Sequence, residues 1–206
     1  MEGTVHPRIA LAILEALRDT DTPDETLLDE TFPRSLPRRL GLSGVVENQI
    51  RRYAGMQDRG NTLEARELGD LIRLIGRRPD ADRVFAGAGE NLARAHFNSR
   101  FPLSHIGVRL LPHRMRRRRL LKNLRRIARA LNPTGAVQTH AEPPSLVVEG
   151  CLLARASASD SGCRLLEAAF RVCVERYDRG EATVEHAECE GRGGDGCLWR
   201  MAAQSA

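Results

Sequence analysis

Aromatic side chains are scarce in this chain, at 4%, which removes the interleaved stacking platforms by which many nucleic-acid binders hold unpaired bases. No apolar run approaches the ~18 residues that a membrane-spanning helix needs. The first seventeen residues lack a basic start, an apolar run and a small-residue cleavage site; no export leader is read there, and the expected location is cytoplasmic. Cysteine is absent from the first 150 residues, and five then follow. An odd number without an export signal is expected to persist as thiols or metal thiolates rather than as disulfides.

What is present is ordinary for a folded chain: 41% hydrophobic and 29% charged residues, a balance that excludes wholesale disorder. With 206 residues there is enough chain to bury a core without a disulfide framework. The net charge of +5 is concentrated in one stretch, so the global value says little about partners.

Residues 1–132 read as a helical region. Ile9, Ala12, Ile13, Ala16 and Leu17 recur at three- and four-residue spacing, and similar stripes run through 63–75 and 84–97. Breaks are expected at 22–23, 33–37, 55–60, 78–79 and 101–102, with Asp24 and Thr62 placed as caps or first-turn residues. From Asn132-Pro133 onward the pattern turns extended. Residues 136–140 and 146–152 read as a hairpin joined through Glu142-Pro143-Pro144, a helix opens at Ser161 or Gly162 and stops at Gly180, and 183–189 and 198–202 read as two more strands. The expected class is α+β: N-terminal helices packed on a small antiparallel sheet, with a zinc-stabilised α/β unit over 133–206, together one compact domain. Separation near Pro133 is the alternative.

Cys163, His186, Cys189 and Cys197 are separated by twenty-two, two and seven residues. Three thiolates and one imidazole are a standard tetrahedral zinc set, and four protein ligands leave no open position. Cys163 falls at the start of its helix, where unpaired amides favour a thiolate. Between Cys189 and Cys197, four glycines allow the tight turns that return the second sulfur to the first. On a regular strand His186 and Cys189 point to opposite faces, so either a bulge brings His186 round or Glu185 supplies the fourth ligand. Cys151 and Cys173 have apolar neighbours and read as core or pocket-lining residues rather than ligands. Gly191, Gly193 and Gly196 satisfy a G-x-G-x-x-G pattern, but a strand-like run follows where a dinucleotide site needs a helix. Gly87-Ala88-Gly89 reads as close helix packing.

The stretch from Ser145 to Met201 resembles the vinyl-4-reductase domain family, whose members include a bacteriochlorophyll-biosynthesis protein and the sensing domains of phenol-responsive transcription activators. The matching residues are the strand Leu146 to Cys151, the helix Cys163 to Phe170, and the ending Val184 to Cys189 with Gly194-Asp195-Gly196-Cys197. Zinc-bearing relatives commonly have a glutamate where this chain has His186. The resemblance implies helices against a small sheet enclosing an apolar pocket. It also implies a ligand-binding protein of bacteriochlorophyll biosynthesis that binds or delivers a tetrapyrrole, with pathway enzymes as partners and a homodimer among the expected states. Two alternatives are a vinyl reductase acting on divinyl precursors with an external reductant, and a sensor of small aromatic or hydrocarbon ligands. Whether the chain is an enzyme stays open: the family name implies a reductase, while no nicotinamide or flavin fingerprint is visible.

Between Arg114 and Arg129 lie eight arginines and one lysine. Leu111, Met115, Leu120, Leu121, Leu124, Ile127, Ala128 and Leu131 form a helical stripe through the same segment, predicting an amphipathic helix with a basic outer face. Three readings compete: arginines paired with this chain's own acids, peripheral contact with an anionic membrane, or contact with carboxylates of a tetrapyrrole or an acidic partner. Nucleic acid is disfavoured because no aromatic residues interleave with the run.

Overall fold

The computed structural model describes residues 3–21, 44–100, 111–157, 160–177 and 182–203. The expected breaks at 22–23, 33–37 and 101–102, the Asp24 cap and the Gly180 stop lie outside them. Among the described residues the chain is mixed helix and sheet. Strand β1 (Thr4–Val5) leads into α1 (Arg8–Asp21), then α2 (Gly44–Asp58), β2 (Leu63–Glu64), α3 (Ala65–Ile75), α4 (Ala81–Arg100) and α5 (His113–Leu131). Strands β3 (Ala136–Ala141) and β4 (Pro144–Glu149) follow, then α6 (Leu152–Ala156), α7 (Arg164–Tyr177), β5 (Ala182–Glu188) and β6 (Cys197–Ala203).

Periodicity explains the helices. In α1, Ile9, Ala12, Ile13, Ala16 and Leu17 are all buried, and in α3 the same holds for Leu68, Ile72 and Ile75. Burying each large aliphatic or aromatic side chain contributes about 1.5–3 kcal/mol. The buried residues form one continuous core that runs from Val5 to Trp199 and so crosses the change of character at Asn132. Helix α7 packs against α4 and α5, and α4 in turn against α1. Among the described residues, α5 lies along β3 and β4, whereas the main packing partners of α1 are other helices. Backbones approach closely where α4 crosses α7: a Cβ on Gly89 would sit 2.1 Å from the Leu165 carbonyl oxygen. A polar relay ties three helices together, with His96 Nε2 donating to Asn123 Oδ1 at 3.0 Å and Asn123 Nδ2 donating to Tyr177 Oη at 3.0 Å.

Three local expectations are corrected. Helix α2 runs through Gly55 to Asp58 and the chain turns at Gly60, at φ 68°; one interior glycine costs only about 1 kcal/mol, and buried Tyr53, hydrogen-bonded to Glu67 at 2.9 Å, holds the helix in place. Thr62 does not cap α3, because Leu63 and Glu64 first pair with Val5 and Thr4. The strand expected over 146–152 ends at Glu149, where Gly150 takes φ 68° and α6 begins. Its free amides are satisfied by side chains: Leu152 N donates to Asn132 Oδ1 and Cys151 N to Glu190 Oε2, both at 2.8 Å.

The four-stranded sheet has the order β3-β4-β6-β5 and is antiparallel throughout. Leu146 lies opposite Trp199 and Val148 opposite Cys197, and all four are buried on the face toward the helices. Between β5 and β6 the register shifts: His186 pairs with Trp199, but Glu188 pairs with Leu198, leaving Ala187 as an extra residue in a bulge.

Candidate metal centre

That bulge decides which side chains meet. One extra residue between His186 and Cys189 reverses the alternation, so both turn toward the face that carries Cys197 and Trp199. Glu185 points the other way and pairs with Arg200 at 3.0 Å on the solvent side. Cys163 arrives from the opposite direction, as the last residue of a 3-10 turn (Asp160–Cys163) directly before α7, one step earlier than the first-turn position expected.

The ligand atoms of Cys163, His186, Cys189 and Cys197 all lie within 4.8 Å of one another, and the group could hold a metal ion. Cys163 Sγ is 3.8 Å from Cys189 Sγ and 3.9 Å from Cys197 Sγ. A tetrahedron with metal–sulfur bonds of about 2.3 Å has edges of about 3.8 Å, so the thiols already stand at coordination spacing. The three cysteines are buried, and His186 Nε2 is a buried nitrogen without a hydrogen-bond partner. An orphan of this kind costs about 1–3 kcal/mol unless something accepts its lone pair or its proton. The His186 ring stacks on the buried Trp199 indole, centroids 4.8 Å apart and planes 12° apart, which fixes its orientation.

The loop between Cys189 and Cys197 brings a backbone donor to a sulfur. A 3-10 turn over Glu190–Arg192 ends at Gly193, at φ 90°, and Glu190 N donates to Cys197 Sγ at 3.4 Å. Gly194 and Gly196 leave room that a side chain would fill, since a Cβ would stand 3.1 Å from the carbonyl oxygens of Cys189 and Val148, respectively. The glycine run feeds strand β6 and no helix, in keeping with its rejection as a dinucleotide loop.

Two residues of the site were not singled out by the sequence. Cys151, read as core, is fully buried but lies against the sulfurs: hydrogen bonding with Cys163, and then with Cys197, holds its thiol well below the usual range. The bond to Cys151 in turn pushes the Cys163 thiol far up. Glu190 accepts from Cys151 N and, at 2.5 Å, from Arg155 Nε, locking the turn to α6. A cysteine between apolar neighbours carries no sequence signal for such a role; only the positive-φ turn at Gly150 brings it there. Cys173 is core, as expected, and burial pushes its thiol up to about 12.

Paired substitutions at neighbouring positions test this geometry. His186→Ala is expected to lower the metal bound per chain and release Trp199 from its stack, whereas Glu185→Ala removes an exposed ion pair, costs no more than about 1 kcal/mol and leaves metal content unchanged. Atomic emission on purified protein and Trp199 fluorescence read both. Compared with known proteins, the chain matches no family model, no curated protein and no solved structure.

Proposed function

We propose that this protein is a non-catalytic ligand-binding protein in which Cys163, His186, Cys189 and Cys197 hold a structural zinc ion, and that its ligand is a tetrapyrrole intermediate of bacteriochlorophyll synthesis, bound or delivered to partner enzymes. The metal assignment rests on the convergence of three buried sulfurs and one imidazole, from the turn before α7 and from the β5–β6 hairpin, at coordination spacing. Zinc suits this donor set because it favours tetrahedral thiolate and imidazole ligands. When bound, it would supply a crosslink between the α7 start and the β5–β6 hairpin.

The ligand class rests on the family resemblance of Ser145 to Met201. A four-donor site argues for structure over catalysis, since no coordination position is left for substrate and zinc has no redox chemistry. The reductase reading therefore requires both an external hydride donor and a second site. Titrating the purified protein with a divinyl chlorophyll precursor is expected to give a saturable absorbance shift and quenching of Trp199. Binding of simple phenols alone would replace this reading with the sensor. Mass gain of the precursor in the presence of reduced nicotinamide would replace it with the reductase.

A further inference from the structure

Helix α5 carries a surface that the metal centre and its ligand do not use. Its 19 residues contain no acid, and at 1.5 Å per residue they extend about 28 Å. Leu120, Leu124, Ile127 and Leu131 are buried against the core. On the opposite side Arg114, Arg118, Lys122, Arg125 and Arg129, spaced by three and four, make an exposed row, with Arg119 and Arg126 beside it. Intramolecular neutralisation is slight: among the described residues, Arg117 alone of the basic side chains in this helix meets a carboxylate, that of the exposed Glu142 at 3.7 Å.

One apolar residue breaks the basic face. Met115, predicted on the buried stripe, is instead 46% exposed, because its spacing of four, seven and eleven to Arg119, Lys122 and Arg126 sets it on the basic side. We propose that this face docks on an anionic lipid bilayer, lying flat with the guanidinium groups among the headgroups and Met115 entering the acyl boundary. Two features favour a bilayer over nucleic acid. A planar charged surface accepts both a wide basic arc and an apolar side chain within it. The helix is also seated on the core along its length and bears no aromatic residue to stack on bases. Among the described residues no helix is long and apolar enough to cross a membrane, and the proposed contact is peripheral.

The test is co-sedimentation of the full chain with phosphatidylcholine vesicles containing about 30 mol % phosphatidylserine, against pure phosphatidylcholine, at ~0.1 M salt. Binding is expected to the anionic vesicles alone and to weaken as salt rises. Arg118→Glu/Arg125→Glu should lower the partition coefficient at least about 30-fold, and Met115→Ala about 5-fold, with circular dichroism and metal content unchanged. Failure to sediment with anionic vesicles, or undiminished binding of the charge-reversed variant, would overturn the proposal. So would release of the bound protein by equimolar duplex DNA, which would assign the face to nucleic acid.

Discussion

Replacing Cys197 by serine is expected to abolish stoichiometric metal binding and to lower the melting temperature by about 10 °C or more, corresponding to a loss above about 4 kcal/mol. Cys197 anchors β6 beside Val148, is fully buried and receives the Glu190 amide. A serine oxygen there would be a poorer ligand than a thiolate and would leave a polar group in an apolar wall. Metal analysis together with calorimetry reads both effects, and chelation of the unaltered protein should reproduce most of the thermal shift. Because the thiols must lose their protons to bind, acidification should release the metal before the helical part melts. A Cys197→Ser protein that retains one zinc per chain and its melting temperature would remove the metal centre from the account.

Gly89→Ala is expected to be nearly as damaging, although it adds one methyl group far from any donor in sequence. The added carbon would stand 2.1 Å from the Leu165 carbonyl oxygen and 2.9 Å from its carbon, and both partners are backbone of packed helices. Relief requires α4 and α7 to separate, at a cost of about 3 kcal/mol. Two positions away, a Cβ on Gly87 would meet, among the described residues, only the Ala16 Cβ, at 3.4 Å. Gly87→Ala should therefore be neutral or stabilise by up to about 0.5 kcal/mol, since alanine favours helix. Chemical denaturation of the two variants side by side separates close packing from helix propensity. Equal effects would contradict the crossing described here.

The long helices and the four strands of the sheet were legible because their patterns are long. Stripes of four or five apolar residues in α1, α3, α4 and α7 leave no competing period, and Pro143-Pro144 and the glycine run mark both hairpin turns. The four donors were legible as a group from residue type and spacing. Their order in space was not, because it depends on Ala187, an alanine indistinguishable from any other strand residue until the register with β6 is known. Short elements failed for a related reason: Leu152 to Ala156 is too brief to show a period, and a run of apolar residues after a strand reads as more strand. The two-residue pairing of β1 with β2 has no pattern at all. Met115 was misplaced because an apolar residue at the frayed start of a stripe is assigned to the core by type, whereas the helix's angular spacing puts it among the arginines.

His186, Cys189 and Cys197 all ride on the β5–β6 hairpin, while Cys163 belongs to the 3-10 turn before α7, made earlier. During synthesis on the ribosome, a metal site of these four residues cannot close around that cysteine until β6 has emerged. The helices up to α5 carry none of the four clustered residues. In the proposed metal-bound protein, capture of the ion therefore follows synthesis of β6, and a chain truncated ahead of β6 would lack the sulfur that closes the clasp.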